Sequence, residues 1–117
     1  MSIRRLERTD WRGFCIHASR GFLGKQVVIE IGSLQIGFQP EACKQPLLGI
    51  SYDPRSDVLE LLVGELDHLI RSPREVYVDE ALVGTTVLQI IDADGMQQII
   101  TLRDPLMLPA PSRTARY

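Results

Sequence analysis

Residues 27–38 read VVIEIGSLQIGF, and this stretch decides the fold because it predicts two strands joined by a tight turn. Gly32 followed by Ser33 suits a two-residue type II′ hairpin turn, in which glycine takes the first central position. The facing pairs in that register are Ile31 with Leu34, Ile29 with Ile36, and Val27 with Phe38. Those six apolar side chains share one face of the ribbon. The stretch therefore predicts a hairpin with a buried face, and a fold built on a sheet.

Five more strands are predicted after this hairpin. They are LLGISY at 47–52, VLELLV at 58–63, REVYV at 74–78, TTVLQIID at 85–92 and MQQIITL at 96–102. Residues 39–46, bracketed by Pro40 and Pro46, are expected to form a connection, because proline cannot donate to a strand ladder. The DPRS sequence at 53–56 has the residue order of a type I turn.

The last two strands flank DADG at 92–95, which predicts a hairpin with a glycine bulge. The pairing expected across it brings Leu88 near Ile99 and Val87 near Ile100. Both faces of this ribbon then carry large apolar residues. Such a ribbon is either central and covered on both faces, or buried on its outer face against a second subunit.

The chain begins with a predicted helix over residues 10–19, capped by Thr9 or Asp10. Its apolar residues follow helical spacing and form one stripe of Trp11, Phe14, Cys15 and Ala18. Gly21 and Gly24 end the helix, since glycine accepts the left-handed conformation common at helix ends. His17 falls off the stripe and is expected to face solvent.

Length and composition indicate one domain of ordinary size. The chain has 117 residues, of which 44% are hydrophobic, enough for a core without disulfide or metal support. We expect a single domain over 1–108 and a flexible C-terminal tail over 109–117, where Pro109 and Pro111 oppose regular structure.

Charge and hydropathy exclude some classes of partner. Thirteen Lys and Arg residues against fifteen Asp and Glu give a net charge of −2, which argues against nucleic-acid binding through bulk charge. No apolar run approaches the roughly 20 residues of a membrane span, and the start lacks the apolar region of a secretory signal. We therefore expect a cytoplasmic location, with Cys15 and Cys43 as buried free thiols.

The candidate site lies in GELDHLIRSPREV at 64–76, which holds Glu65, Asp67, His68 and Arg71. A carboxylate beside an imidazole, with a guanidinium nearby, is a possible proton shuttle or half a metal site. As a helix, this segment places Glu65 and His68 on one face, the arrangement of carboxylate-bridged metal sites. Those sites repeat the pair on two helices, however, and here it occurs once.

The conformation of residues 57–70 decides this question, and the sequence leaves it open. Leucines at 59, 62, 66 and 69 fit helical spacing, whereas the preceding turn and Gly64 favour a strand followed by a structural bend. If the segment is extended, His68 shares a face with Leu66 and Ile70. It is then buried or partly buried, and a lone histidine of that kind is hydrogen-bonded to the backbone or to a carboxylate rather than catalytic.

Several of the quoted segments resemble a family of small uncharacterised bacterial proteins, a domain of unknown function. The residues that carry the resemblance are the Trp11–Phe14 helix, VVIEIGSLQIGFQPE, PLLGISYDPRSDVLEL, and DHLIRSPREVYV followed by the Asp-Gly hairpin. The resemblance covers most of the chain and implies a stand-alone bacterial protein. It implies no activity, cofactor or site residue.

The sequence thus predicts an α+β fold. One N-terminal helix packs on a bent, mostly antiparallel sheet of about six or seven strands built from hairpins. One helix leaves much of such a sheet uncovered, which predicts closure into a roll or a homodimer.

No catalytic motif, cofactor-binding motif or metal-binding motif is complete. We therefore expect a non-catalytic intracellular protein that acts through self-association or binding. The alternative is a small enzyme or ligand-binding protein with a pocket near Asp67, His68 and Arg71.

Overall fold

The structure, a computed structural model, describes residues 3–33, 37–80 and 84–104, with the backbone alone at residues 38 and 40–44. These residues form one helix and eight strands. In chain order they are β1 (Ile3–Leu6), α1 (Arg8–Gly21), β2 (Gln26–Ser33), β3 (Gly37–Asp53), β4 (Val58–Val63), β5 (Leu66–Arg71), β6 (Pro73–Asp79), β7 (Thr85–Asp92) and β8 (Gln97–Arg103). The α+β class is confirmed, with a slightly higher strand count than expected. The tail over 109–117 lies outside the described residues.

All eight strands form one open antiparallel sheet in the order β1-β6-β7-β8-β2-β3-β4-β5. We call β1, β6, β7, β8, β2 and residues 37–46 of β3 the large sheet. Residues 47–53 of β3, with β4 and β5, are the small sheet. β3 pairs with β2 up to Pro46 and with β4 from Leu47 onward, so this strand belongs to both sheets.

The small sheet folds back over the inner face of the large sheet. β5 and β8 are separated in the strand order by β4, β3 and β2. Nevertheless His68 of β5 and Gln98 of β8 are hydrogen-bonded, with 2.5 Å between Nε2 and Oε1. A flat sheet would hold these strands about 19 Å apart. The bent sheet expected from the sequence is therefore present, and its fold-back encloses the core.

The core lies between the two sheets and beneath α1. Its members are buried apolar side chains from both sheets and the helix. They include Val27, Ile29, Leu88, Ile90, Ile100 and Leu102 of the large sheet, Leu47, Leu59, Leu61, Val63 and Ile70 of the small sheet, and Trp11, Cys15 and Ala18 of α1.

The helix is longer than predicted and begins earlier. It starts at Arg8 rather than at residue 10, with Glu7 at the N-cap and no side-chain cap hydrogen bond. The prediction of Thr9 or Asp10 as the cap is wrong, since both residues lie inside the first turn. The apolar stripe is confirmed by its buried members Trp11, Cys15 and Ala18, and His17 is exposed as expected.

The turn predicted at Gly32-Ser33 is wrong, because β2 runs on through both residues. The partner of Ile31 is Gln39, that of Gly32 is Phe38, and that of Ser33 is Gly37. The predicted partners Leu34 and Ile36 lie outside the described residues. The inward orientation of Val27 and Ile29 is nevertheless confirmed, since both are fully buried. Apolar alternation fixes the face of a strand, but several registers satisfy it equally.

Residues 39–46 continue β3 and are not the predicted connection. The ladder with β2 tolerates the prolines at 40 and 46 because it is irregular, with register shifts on both sides of Ile29. Bulges of this kind are where a strand accommodates a residue without an N–H. The Pro46 carbonyl accepts a 2.9 Å hydrogen bond from the Gly64 N–H, which links β3 to the tip of the small sheet.

The hairpin at 92–95 is confirmed, but its register differs by one residue from the prediction. Leu88 faces Ile100 and Val87 faces Thr101. Gly95 has a φ of +81° in the turn, the left-handed value expected of a bulge glycine. β7 and β8 are central strands, as one alternative required. Their outer-face side chains, such as Val87 and Ile99, are only half-buried.

Candidate functional site

The segment GELDHLIRSPREV folds as the end of a hairpin rather than as a helix. β4 and β5 pair without a bulge from Val58 with Arg71 to Val63 with Leu66. The turn between them consists of Gly64 and Glu65, and Gly64 has a φ of +58°. A glycine with positive φ at the first of two turn residues is the requirement of a type II′ hairpin. The turn type predicted for residues 32–33 therefore occurs at residues 64–65.

The extended conformation divides the predicted site between two faces of β5. Side chains alternate along a strand, so His68 points inward with Ile70, whereas Asp67 and Arg71 point outward. His68 is buried, and Asp67 and Arg71 are exposed. Glu65 lies exposed in the turn. The structure therefore does not bring Asp67, His68 and Arg71 together around one cavity.

His68 has a structural environment. Its Nε2 atom is 2.5 Å from Oε1 of Gln98, and both side chains are more than 90% buried. A buried imidazole needs such a partner, because an unpaired polar group in the core is costly. This pair joins the small sheet to the large sheet. Burial of His68 is the outcome expected for an extended segment, whereas its partner is a carboxamide and not the expected backbone group or carboxylate.

Asp67 interacts with Glu60 on the neighbouring strand. A hydrogen bond that protonated Glu60 donates to Asp67 is the main cause that raises the pKa of Glu60 above its ordinary value. Glu60 directly faces Leu69, while Asp67 faces Leu62, so the acidic pair lies diagonally across β4 and β5. The outer face of the small sheet thus holds a pair of carboxyl groups between two leucines.

Three leucines are unusually exposed on the small sheet. Leu48 of β3 is 54% exposed, Leu62 of β4 is 41% exposed and Leu69 of β5 is 40% exposed. Leu62 lies over Gly49, whose absent side chain leaves room for it. Exposed leucines occurring singly are normal, but Leu62 and Leu69 are diagonal neighbours on the outer face of β4 and β5, and adjacent exposed apolar side chains are typical of an interaction surface.

β5 is also a free edge. Within the described ranges its single neighbour is β4, and no backbone hydrogen bond outside that ladder involves Asp67, Leu69 or Arg71. An unpaired strand edge presents a row of N–H and C=O groups to any extended chain that can reach it. The strand has no Pro and no bulge, which are common protections of such an edge, although Asp67 and Arg71 place one charge of each sign on it.

The sequence pattern did not reveal a second polar cluster, at the start of α1. Arg8 donates hydrogen bonds to the Tyr52 hydroxyl at 3.0 Å, to Asp57 at 3.2 Å and to the Pro73 carbonyl at 3.1 Å. Its guanidinium also lies 4.6 Å from the ring centre of Trp11. The Tyr52 hydroxyl in turn donates to Asp57 at 2.6 Å.

Every polar group named in that cluster has a partner, so the cluster ties the helix to β3, to β6 and to the turn between β3 and β4. Burial and the bond to Asp57 raise the pKa of Tyr52, which keeps its hydroxyl protonated as a donor. No local motif announces these contacts, because they join residues far apart in the chain.

The described residues hold no group of three His, Cys, Asp or Glu side chains that converge as metal ligands. A small apolar cavity lies beneath α1 against Trp11, Cys15 and Leu59. Burial there raises the pKa of the Cys15 thiol to about 12, and this thiol is free. The side chain of Cys43 lies outside the described residues. Among the described segments, no helix has the length and apolar character needed to cross a membrane.

Comparisons with known proteins agree with the resemblance seen in the sequence. The model of a family of unknown function, DUF5335, matches residues 2–111. An uncharacterized protein of Aquifex aeolicus (strain VF5) is 33% identical over 110 residues, covering 93% of this chain and 99% of the relative. No solved structure matches this chain.

Proposed function

This chain belongs to DUF5335, a family of unknown function, and from that premise we propose that it is a non-catalytic protein that self-associates through the free edge of β5. The observation that carries the proposal is a strand edge that, among the described residues, has no further strand beside it and no proline or bulge, combined with the exposed Leu69 on that strand. Pairing with a second copy satisfies the backbone groups of that edge and covers apolar surface at the same time.

The two edges of the sheet differ in a way that favours β5. β1, at the opposite edge, has four residues, of which Arg4 and Arg5 are exposed. A short, positively charged edge strand resists pairing with its own copy. β5 has six residues, and its outward residues include both signs of charge. A second copy therefore finds a compatible partner at β5 and not at β1.

The non-catalytic part of the proposal rests on the division of the candidate site. Asp67 and Arg71 lie on the outer face of β5, while His68 bonds Gln98 in the core. A general base must reach the proton it removes, and His68 is 7% exposed. The proposed location is the cytoplasm, which is supported by the free, buried thiol of Cys15.

An interface of this kind is small. One added strand pair with its flanking side chains buries less surface than a standard interface, and such small interfaces are generally weak. We therefore expect a reversible dimer with a dissociation constant on the order of 1–100 µM.

The test is sedimentation velocity over a dilution series that spans this range, with the wild-type chain and two lysine variants. Leu69→Lys places two like charges together at the paired edge and is expected to give a monomer. Leu62→Lys is the matched control, because Leu62 has nearly the same exposure and lies on the same face but one strand away from the edge.

A wild-type chain that remains monomeric throughout the series would contradict the proposal. Equal loss of association in both lysine variants would also count against it, because that result indicates packing of whole faces rather than of strand edges.

A further inference from the structure

We infer that two copies of β5 pair antiparallel about a two-fold axis at Leu69, with Asp67 and Arg71 as reciprocal specificity residues. This inference rests on the proposed self-association and specifies its register. Asp67 and Arg71 stand two residues before and two residues after Leu69. In an antiparallel pair centred on Leu69, each Asp67 therefore faces the Arg71 of the other copy.

The residues of β5 that this register pairs are those whose backbone N–H and C=O groups point toward the free edge. In antiparallel ladders, hydrogen-bonded and non-hydrogen-bonded pairs alternate, and the pair that closes a two-residue turn is hydrogen-bonded. Val63 and Leu66 close the turn at Gly64-Glu65. Leu66, His68 and Ile70 thus direct their N–H and C=O groups toward β4. The remaining residues, Asp67, Leu69 and Arg71, direct theirs toward the free edge.

A second copy can form backbone hydrogen bonds with this edge only in certain registers. Residues whose N–H and C=O groups point toward the free edge must face the corresponding residues of the other copy. Centring on Leu69 uses all three of them and supplies about six intermolecular hydrogen bonds, two for each facing pair. Centring on His68 or on Ile70 leaves fewer bonded pairs and no facing ion pair between two residues of β5. Centring on Asp67 or on Arg71 places like charges opposite each other, which is destabilising.

The charges needed for these ion pairs are available. In the described part of the chain, neither Asp67 nor Arg71 takes part in a salt bridge, and Asp67 bonds only the side chain of Glu60. An arginine from a second copy approaches a region where two carboxyl groups already lie together. The outer face of each small sheet is therefore locally acidic where the inferred partner is basic.

The opposite edge explains why the assembly closes as a dimer. Antiparallel self-pairing of β1 centred on Arg4 or on Arg5 places that arginine opposite its own copy, and such like-charged pairs oppose association. Joining two sheets at β5 leaves the two β1 strands as the outer edges of the combined sheet. A two-fold interface of this type is isologous and does not propagate into a filament.

Charge exchange tests the register. The three variants are Asp67→Arg, Arg71→Asp and the double exchange Asp67→Arg/Arg71→Asp. Each single variant faces like charges in both pairs, so its self-association is expected to weaken about tenfold. The double variant restores opposite charges and is expected to dimerise like the wild type.

Mixing the two single variants gives the more specific readout. Asp67→Arg has two arginines on its edge, and Arg71→Asp has two aspartates, so the two chains complement each other at both positions. We expect each to be weak alone and the mixture to form a heterodimer at least as tight as the wild-type dimer. Circular dichroism confirms that the exposed substitutions leave the fold intact.

The outcomes separate this inference from the proposed function. If the wild type dimerises but neither the mixture nor the double variant recovers association, the register is wrong while self-association stands. If both single variants dimerise like the wild type, Asp67 and Arg71 do not select the partner and the inference fails. A wild-type monomer overturns the proposed function itself.

Discussion

The backbone conformation at His68 decides whether this residue is interpreted as functional or as structural. On a helix it lies beside Glu65, as in some metal sites. On the strand it points inward to Gln98. The sequence is compatible with both conformations. For the extended conformation it correctly predicts that His68 shares the inward face with Ile70. It did not identify Gln98, because that contact depends on the fold-back of the sheet and not on local pattern.

Gln98→Ala tests the structural role of the pair. The substitution leaves a buried imidazole without its partner, and we expect it to lower the free energy of unfolding by about 1–3 kcal/mol. Urea denaturation measures this change. Gln97→Ala is the neighbouring control, since Gln97 is half-buried and accepts a hydrogen bond from Gln89 at 3.0 Å. A loss at Gln97 equal to that at Gln98 would contradict the assigned role.

The interaction between Glu60 and Asp67 makes the stability of the folded chain depend on pH. The bond to Asp67 raises the pKa of Glu60, so the folded chain holds this proton more tightly than the unfolded chain. The resulting stabilisation is present below the ordinary glutamate pKa and is lost as the pH rises through the folded value. We therefore expect Glu60→Gln to raise the melting temperature slightly at about pH 7 and to change little at about pH 4.

Thermal melts followed by circular dichroism, at concentrations below self-association, make this comparison. Besides Asp67, the charged residue on the outer face of β5 is Arg71, which lies two residues from the Leu69 that faces Glu60. A Glu60→Gln effect of equal size at both pH values would show that the acidic pair is not its cause.

At the scale of the elements, the sequence predicted which segments are strands better than how they pair. Alternation identified the buried face of β2 and the hairpin between β7 and β8, because burial of one face is a local property of the pattern. Register was wrong by several residues in the first hairpin and by one in the last. Turn composition suggested Gly32-Ser33, but the long strand β3, with its two prolines, pairs past that point.

Gly64, in the turn between β4 and β5, is the position with the clearest requirement for glycine. Its φ of +58° disfavours any side chain, and an added Cβ meets the carboxamide of Gln45. We expect Gly64→Ala to destabilise the fold by about 1–2 kcal/mol, mostly through the backbone. Adding Gln45→Ala to Gly64→Ala should restore only a small part of the lost stability, namely the part due to contact between the new Cβ and the Gln45 side chain.

Gly49→Ala is the control for that substitution. Gly49 also lies in the small sheet, but an added Cβ there meets only Leu62, at 3.8 Å. We expect a change within about 0.5 kcal/mol. Equal losses at Gly49 and Gly64 in chemical denaturation would rule out the turn conformation as the cause.

At the scale of the whole molecule, the fold-back decides which surfaces remain available. The small sheet covers the inner face of the large sheet, and in the described part of the chain the two sheet edges have no further strand beside them. Sequence reasoning expected surplus apolar surface and therefore a roll or a dimer. The sequence does not locate that surface, because the alternation of Asp67, Leu69 and Arg71 has meaning only on an edge strand.

The central claim is that β5 pairs with its own copy at Leu69, and cross-linking at that residue tests it most directly. Facing residues of a hydrogen-bonded antiparallel pair have Cα atoms about 5.5 Å apart. Leu62, on the next strand and displaced along it, would lie roughly 20 Å from its own copy in the same dimer. The comparison uses Leu69→Cys and Leu62→Cys, each in a Cys43→Ser background that retains the buried Cys15.

A short bismaleimide is added to each variant at a concentration where the dimer is populated, and the products are separated by denaturing electrophoresis. Pairing at Leu69 predicts rapid conversion of Leu69→Cys to a covalent dimer and little conversion of Leu62→Cys. Cross-linking of Leu62→Cys as fast as Leu69→Cys, or a Leu69→Cys chain that stays uncoupled while dimeric, would contradict the account.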